Sequence, residues 1–407
     1  MSTTDAIGYA PPLYEPPHKP GVLKINPDWA YVPPVRPQFT LNLDREETTC
    51  LPAVSLEEAD RRRQADFPIQ RSNRYPSKLI ERALVAELAA DLGLSDAHVL
   101  VGNGIMNILT YIYDIYSRPG DHVTVPTPGF WPAYTYAFQR ARGIFMPLYL
   151  HDQSDRLHPQ FLFPADRTSE CLAKGTAICY LCNPNNPTGT LIPFDAIESL
   201  VSDFPDCLFI VDEAYGPFAA NRLDADRFEL DAIVDMIRRG CRNLVVTRTF
   251  SKVYALANFR VGYIISHPAN IATVKAHMGP YDMSEISLAM AHYNYLDSNY
   301  MKNVVRTVIE NMAVYEHFLE EHDIPSYGGY RNSLLVEGLH FAEAYERSGI
   351  AVRAMVYQRE IPNPIASTFR VTIPADVASF RFLMNVSQQI VADLPVVGGG
   401  PRRQHLD

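Results

Sequence analysis

The sequence predicts an α/β protein in which a mostly parallel β-sheet is covered by helices on both faces and is followed by a smaller α+β domain. The first observation is that short apolar runs alternate with longer amphipathic stretches from residue 77 onwards. The second is that helical stretches lie between most of these runs, which is typical of parallel strands covered on both faces. The third is a change of pattern after Gly279, where long helical stretches replace the alternation.

Six apolar runs are the predicted strands of the large sheet. They lie at 98–102, 122–126, 176–182, 207–213, 243–249 and 261–265. A helix from Ser77, a suitable N-cap residue, to about Leu92 precedes them. Helical stretches between most of the runs predict parallel strands. The connection between the last two runs is too short for a crossover helix, so we expect one antiparallel strand.

The smaller domain is predicted from a different pattern. A long helical stretch covers 284–321 and is expected to break near 296–300. Strand-like segments follow at 333–339 and 369–373, with a helix near 341–348 between them. Helices and isolated strands in this order are typical of an α+β unit.

Proline and glycine content predicts the domain boundaries. Residues 1–45 form a Pro-rich N-terminal arm, because nine prolines among the first 37 residues disfavour regular structure. We expect this arm to lie over the protein surface or over a partner subunit. The large domain is assigned to 46–280, with 46–72 contributing to the small domain or to a ligand pocket. Residues 281–395 form the small domain, and 396–407 form a flexible tail.

Composition limits the classes of function. An apolar content of 47%, with 20% charged residues, is ordinary for a soluble enzyme, and a net charge of −10 argues against a general nucleic-acid binder. No apolar stretch approaches the roughly 20 residues of a membrane helix, and no apolar signal core is present near the N-terminus. A cytoplasmic location is therefore expected. Six cysteines in 407 residues do not predict a disulfide framework.

A reactive amine is predicted between the last two strands. Lys252 directly follows Ser251, with Thr249 just before them and Arg260 eight residues further on. Burial at the end of a strand lowers the pKa of a lysine and makes its amine nucleophilic. Hydroxyls and a guanidinium bind phosphate. An amine that forms Schiff bases beside a phosphate site suggests pyridoxal phosphate, and a surface loop with ordinary charges is the alternative.

Three other strands end in polar residues, and ligands bind at the carboxyl ends of parallel strands. The first ends in a Gly-Asn-Gly turn at 102–104 before a helix at Ile105, where backbone N–H groups can hold a phosphate. The third is followed by NPNNPTG, which contains Asn186 and is also an ordinary turn sequence. The fourth ends in Asp212, whose buried carboxylate needs a cation such as a protonated pyridine nitrogen.

Together NPNNPTG, VDEAY and TFSK, followed by Arg260, resemble the signature set of the pyridoxal-phosphate-dependent fold-type I aminotransferases of class I and II. The resemblance extends from about Asn73 to the end of the second domain. Within this group the chain is similar to histidinol-phosphate and aspartate aminotransferases, in which NRYP, VLVGNG and PGDHVTVPTPGFWPAY recur in recognisable form. The resemblance implies the fold-type I architecture, with a seven-stranded sheet, and transfer of an amino group between an amino acid and a 2-oxo acid.

The resemblance also implies roles for residues of this chain. Lys252 would hold the cofactor as a Schiff base and later move a proton between substrate and cofactor. Asp212 would pair with the pyridine N–H, and Tyr215 and Asn186 would hydrogen-bond the phenolic oxygen. Arg370, in FRVTI, would bind the substrate α-carboxylate together with Asn186.

Further cofactor contacts are implied at the phosphate, at the ring face and from a partner subunit. The residues implied at the phosphate are Gly104, Ile105, Met106, Thr249, Ser251 and Arg260. Trp131 would stack on the ring, with Phe130 and Tyr134 as alternatives. Tyr75 would reach the phosphate of the other subunit, which implies a homodimer with shared active sites.

Two segments depart from the family pattern. NLDREETTC at 42–50 is not the Asn- and Gly-rich segment of histidinol-phosphate aminotransferases. Arg45, Glu46 and Glu47 could face a polar or basic substrate, or belong to a solvated loop. The segment 277–285 has no arginine for a second carboxylate, which argues against a dicarboxylate substrate.

Two other functions stay open at this point. The first is an elimination, cyclisation or C–C bond-forming reaction of a specialised pathway on the same fold, since the cofactor stabilises the same carbanion in all these reactions. The second is a ligand sensor without catalysis.

Overall fold

A seven-stranded mixed sheet lies at the centre of the larger part of the molecule in a computed structural model of the chain. The residues that the structure describes are 38–66, 73–130, 132–133, 144–149, 151–152, 161–221, 231–355 and 365–393. Most of the predicted N-terminal arm, the predicted tail and Trp131 lie outside the described residues.

The described strands and helices follow one another along the chain as the alternation predicts. The strands are β1 (Leu41–Asn42), β2 (Val99–Gly102), β3 (His122–Thr127), β4 (Ile144–Tyr149), β5 (His151–Asp152), β6 (Phe161–Leu162), β7 (Thr176–Cys182), β8 (Leu208–Asp212), β9 (Leu244–Thr249), β10 (Gly262–Ser266), β11 (Ser326–Gly328), β12 (Ser333–Glu337), β13 (Ile350–Ala351), β14 (Arg353–Ala354) and β15 (Thr368–Thr372). The α-helices are α1 (Leu56–Asp66), α2 (Leu79–Asp91), α3 (Ile105–Tyr116), α4 (Ala165–Leu172), α5 (Phe194–Asp203), α6 (Gly216–Ala219), α7 (Ala232–Arg238), α8 (Pro268–His277), α9 (Glu285–Tyr295), α10 (Ser298–Glu321), α11 (Leu339–Arg347) and α12 (Val377–Ala392).

The large sheet has the strand order β2-β10-β9-β8-β7-β3-β4. Strand β10 is antiparallel to both β2 and β9, and the other neighbours are parallel. The predicted antiparallel strand is therefore confirmed. The residue pattern did not identify β4, because Pro147 interrupts its apolar run. An edge strand tolerates proline, since one side of it has no partner to hydrogen-bond.

Helices cover both faces of this sheet, because successive side chains of each strand point to opposite faces. Val246 belongs to an apolar cluster that contains Leu88 of α2 and Leu288 of α9. Its neighbour Val245 belongs to a second cluster that contains Ile108 of α3. Each such side chain contributes about 1.5–3 kcal/mol on burial. Both faces of the large sheet are thus covered by helices, so a ligand site can lie only at the ends of its strands.

The first predicted helix begins later than expected. It starts at Leu79 rather than at Ser77, because Lys78 adopts a left-handed conformation with φ of 65°. The Ser77 hydroxyl instead donates a hydrogen bond to Glu285 at 3.0 Å. The long helical pattern near the C-terminus divides as predicted into α9 and α10, and the Asp297 side chain caps α10 by accepting from Tyr300 N at 3.0 Å.

A four-stranded antiparallel sheet, in the order β11-β12-β15-β14, forms the centre of the C-terminal part. It shares an apolar cluster with α10, α11 and α12. In the described part of the chain no helix is both long and apolar enough to cross a membrane. The domain boundaries proposed from the sequence stay a prediction.

The segment after β1 runs between the two sheets. Strand β1 pairs in parallel with β13, and Leu43 N continues the pairing by donating to Ala351 O at 2.8 Å. Leu43 O then accepts from Thr372 N of β15 at 3.0 Å. These backbone bonds place the next residues, including Glu46, against the carboxyl edge of the large sheet.

Candidate active site

The carboxyl ends of the central strands bring the predicted polar residues to one edge of the sheet. Cys182 at the end of β7 pairs with Asp212 at the end of β8. Gly262, which begins β10, lies between Gly102 and Thr249, which end β2 and β9. The residues that follow these strands therefore face a common space, as expected for an open α/β sheet.

Asp212 is a buried carboxylate at this edge, with 4% of its surface exposed. One oxygen accepts from the Tyr180 hydroxyl at 2.5 Å and the other from Ala214 N at 3.1 Å. Burial raises the pKa of Asp212, because the charged form loses hydration. A cationic N–H beside this carboxylate would offset that cost, so the site suits a protonated ring nitrogen.

The Lys252 amine contacts the segment after β1, and its charge acts on the Asp212 carboxylate. Its Nζ donates to the carbonyl oxygens of Arg45 and Glu46, both at 3.2 Å, and lies 5.4 Å from the centre of the Tyr215 ring. Burial of the ammonium lowers the pKa of Lys252, although the Glu46 charge opposes this shift. A lowered pKa increases the fraction of free amine at neutral pH, as a nucleophile requires.

A cradle for an anion lies at the N-terminus of α3. Gly104 precedes the helix with φ of 77°, and a Cβ added there would lie 2.6 Å from Nη2 of Arg260. A Cβ on Gly262 would lie 2.9 Å from Ile105 N. The two glycines therefore allow a guanidinium and a strand to approach the first turn of the helix, where free N–H groups attract anions.

Other residues predicted at the phosphate lie beside this cradle. Ser251 N donates to the Thr249 hydroxyl at 3.1 Å in the turn that precedes Lys252. Met106 lies in the first turn of α3, where its carbonyl accepts from Thr110 at 3.0 Å. This glycine cradle and the buried Asp212 fit the two ends of pyridoxal phosphate, its phosphate and its ring nitrogen.

Glu46 occupies the middle of the site, and the sequence did not predict its contacts there. Its Oε2 accepts from the Tyr215 hydroxyl at 2.7 Å and from Asn186 Nδ2 at 3.0 Å, and it lies 3.0 Å from Arg370 Nη1. These are three of the groups predicted to bind the phenolic and carboxylate oxygens of ligands. Arg370 also donates to Asn186 Oδ1 at 3.2 Å and to Asp44 O at 2.8 Å.

The other oxygen of Glu46 is held from the side of the small sheet. Its Oε1 accepts from Ser333 at 2.9 Å and is paired with Arg331 Nη1. Arg331 is completely buried, donates to Pro187 O, and places its guanidinium carbon 5.3 Å from the centre of the Tyr215 ring.

Two arginines therefore share one glutamate. Burial by itself would raise the pKa of Glu46, but Arg370 and Arg331 outweigh burial and hold the pKa well below its usual range. Glu46 is 3% exposed and both its oxygens are engaged. It is thus neither part of a solvated loop nor available to a basic substrate.

Arg331 and Glu46 were missed as a pair because they are 285 residues apart. A signal for Arg331 existed, since a single charged residue stands two positions before the apolar strand β12. The departure of 42–50 from the family pattern was a signal for Glu46, but the sequence did not indicate the partner.

Replacing Glu46 with alanine is expected to lower the free energy of unfolding by about 3–5 kcal/mol, because Arg331 would remain buried without its counter-charge. Urea denaturation of the cofactor-free protein measures this loss of stability.

The contribution of Glu46 to the free energy of unfolding also depends on pH. Because the folded-state pKa of Glu46 is depressed, this contribution is complete above about pH 4.3 and is lost as the pH falls further. Glu57→Ala, at an exposed position, should change stability by no more than about 0.5 kcal/mol. Equal effects of the two substitutions would contradict the assignment.

Two predicted residues do not join this cluster in the described structure. Trp131 lies outside the described residues, as does its alternative Tyr134, and Phe130 packs against the apolar cluster of α3. Tyr75 is 72% exposed and stacks on Tyr281 at 4.3 Å between ring centres. Its contact with a second subunit stays a prediction.

Comparison with known families gives one match over most of the chain. The sequence model of the family described as aminotransferase class I and II matches residues 42–379.

Individual proteins show the same likeness. A dihydroxyacetone phosphate transaminase of Campylobacter jejuni is 40% identical over 135 residues, which is 33% of this chain and 34% of that protein. The match thus spans about a third of that relative. Histidinol-phosphate aminotransferase 2 of Oceanobacillus iheyensis is 27% identical over 66% of this chain and 71% of its own. Histidinol-phosphate aminotransferase of Sinorhizobium meliloti, solved with pyridoxal-5'-phosphate, superposes with a TM-score of 0.73 at 22% identity, covering 88% of this chain and 92% of that one.

Proposed function

Because the chain belongs to the class I and II aminotransferases, we propose that it is a pyridoxal-phosphate-dependent enzyme that moves an amino group between an amino acid and a 2-oxo acid. The observation that carries this proposal is the position of the Lys252 amine. Its charge interacts with the buried Asp212 carboxylate and with the Arg370 guanidinium, and burial lowers its pKa. An amine in these surroundings is suited to covalent catalysis on a carbonyl group.

The proposed contacts of the cofactor follow from the two ends of the site. The phosphate would lie at the N-terminus of α3, between the backbone of Gly104 and the guanidinium of Arg260. Its other proposed ligands are Ile105, Met106, Thr249 and Ser251. The Asp212 carboxylate would accept the ring N–H, and Trp131 would cover the ring face.

Five side chains of the site have a proposed part in the reaction. When bound, pyridoxal phosphate supplies an electron sink for the charge that develops at the substrate Cα. Lys252 Nζ would take the proton from Cα and return it at the cofactor carbon, which requires an unprotonated amine. Asp212 would keep the ring nitrogen protonated. Arg370 would hold the α-carboxylate so that the Cα–H bond faces Lys252, and Tyr215 and Asn186 would donate to the phenolic oxygen.

The subunit arrangement is part of the proposal. Tyr75 and Tyr281 are exposed on the same side of one chain and stack on each other. In a homodimer with shared active sites, this pair would be covered and Tyr75 would reach the partner's phosphate. Sedimentation of the holoenzyme should then give twice the 45.8 kDa mass of the chain.

A half-reaction tests amino transfer against the other reactions of this cofactor. The holoenzyme is mixed with single amino acids and no 2-oxo acid, and the cofactor and products are separated by chromatography. Transfer should yield one equivalent of pyridoxamine phosphate and of the corresponding 2-oxo acid per site. Release of carbon dioxide, or of a cyclised or eliminated product with the cofactor still as aldehyde, would show instead the alternative class of reaction. Binding of amino acids without any product would favour the ligand sensor.

A further inference from the structure

Arg370 and Arg331 form a pair of guanidinium groups, called here the carboxylate clamp. The charge of Arg331 is already neutralised by Glu46 of the same chain. Arg331 and Arg370 both contact the Glu46 carboxylate, one at each oxygen. We propose that Glu46 limits the clamp to a single ligand carboxylate, so that the enzyme selects monocarboxylic amino acids and Arg331 is a masked site for a second carboxylate. This inference rests on the proposed role of Arg370 as the ligand of the substrate carboxylate.

Glu46 is held as a fixed part of the site. Its backbone N donates to the Thr372 hydroxyl at 3.0 Å, and its carbonyl accepts from Asn332 Nδ2 at 3.0 Å and from Lys252 Nζ at 3.2 Å. Its φ of 57° is unusual for a residue with a side chain, so these contacts must maintain that conformation. Ser333 and Arg331 hold Oε1 from the small sheet.

The charge balance around Glu46 leaves room for one anion. Arg331 and Arg370 carry two positive charges, and Glu46 carries one negative charge between them. The neighbouring Asp44 carboxylate lies 3.9 Å from the guanidinium of Arg45, so that pair adds no net charge. Among the side chains that contact the Glu46 carboxylate, one positive charge therefore remains, and a single ligand carboxylate neutralises it. A second carboxylate would be buried without a counter-charge, which is costly.

Both arginines have donor capacity that no described residue uses. The Nε atoms of Arg331 and Arg370 are buried, and neither has a hydrogen-bond partner among the described residues. Arg370 can therefore still donate a hydrogen bond to a ligand carboxylate while it contacts Glu46. Arg331 lies 5.3 Å from the Tyr215 ring, so its guanidinium is inside the site and would attract a second carboxylate once Glu46 lost its charge.

A matched pair of unreactive ligands tests this assignment. Glutarate and its monoamide, glutaramate, have the same shape and differ by one negative charge. Their dissociation constants are measured on the holoenzyme by calorimetry, with the absorbance of the bound cofactor as a second readout. The wild-type enzyme should bind glutaramate at least as tightly as glutarate. Glu46→Gln, which keeps the shape of the side chain, should strengthen glutarate binding relative to glutaramate by about tenfold.

Further variants identify the cause of the change. Adding Arg331→Met to Glu46→Gln should abolish the gain, because the unmasked charge is removed. Glu57→Gln, which removes an exposed glutamate of α1, should keep the wild-type ratio. If Glu46→Gln does not fold, the wild-type ratio still tests the proposal, because a preference for glutarate would overturn it.

Several outcomes would overturn the proposal. A wild-type preference for glutarate, an unchanged ratio in Glu46→Gln, or a gain that persists without Arg331 would each do so. Equal strengthening of both ligands in Glu46→Gln would also overturn it, because Glu46 would then compete with any carboxylate. Ligand binding requires no amino transfer, so a failed half-reaction leaves this test intact, and a failed selectivity test leaves the reaction class intact.

Discussion

Replacing Lys252 with alanine is expected to lower the rate of amino transfer at least about 10⁴-fold, because one amine serves both as nucleophile and as proton carrier. Steady-state kinetics with the amino acid identified by the half-reaction would measure this loss. In the wild-type enzyme, borohydride reduction followed by peptide mass spectrometry should place the cofactor on Lys252, and the variant should give no such adduct.

A conservative control distinguishes the positive charge of Lys252 from the nucleophilic and proton-carrying role of its amine. Lys252→Arg keeps the positive charge beside the carbonyls of Arg45 and Glu46 but has no nucleophilic amine. It should be as inactive as the alanine variant, whereas added methylamine should restore part of the activity of Lys252→Ala. Turnover of Lys252→Ala within tenfold of the wild-type rate would rule out the proposed role of this residue.

The second large effect is expected at Asp212. Asp212→Asn should lower kcat about 10²–10³-fold, because the neutral amide no longer stabilises a protonated ring nitrogen as charge develops at the substrate. The same substitution should leave the unfolding free energy of the cofactor-free protein unchanged or higher, since burial raises the pKa of Asp212 and disfavours its charge. Lower activity without lower stability would distinguish a role toward the cofactor from a structural role.

Asp212→Glu provides the matched comparison, because it keeps the charge and displaces it by one methylene group. It should retain more activity than the asparagine variant, although Tyr180 and Ala214 N would lose their present acceptor positions. Similar kcat values for the asparagine variant and the wild-type enzyme would show that this carboxylate does not act on the cofactor.

The features that the sequence predicted well are those that depend on local pattern. Strands β7, β8 and β9 are short apolar runs, and the break between α9 and α10 is marked by the capping residue Asp297. The mostly parallel arrangement of the large sheet could be predicted from these elements, because alternating strands and helices permit few arrangements. The polar residues Asp212, at the end of β8, and Lys252, just after β9, were also identified as site residues from the sequence. The reason is that ligands bind at the carboxyl edge of such sheets.

The features that the sequence could not predict depend on contacts between distant segments. Strand β4 was missed because an edge strand needs no continuous apolar run. The start of α2 was misplaced because Lys78 adopts a left-handed conformation, next to a Ser77 that is bonded to Glu285, far along the chain.

By itself, the sequence determined the α/β fold, the family and the candidate lysine, because periodic burial and short motifs are local properties. Only the tertiary structure decided that Glu46 lies between Arg331 and Arg370. No local pattern encodes that placement: it arises when the backbone of the segment after β1 is bonded to β13 and β15, which brings a charge from one end of the chain to two charges near the other. The energy of a buried charge depends on which counter-charges the fold places beside it.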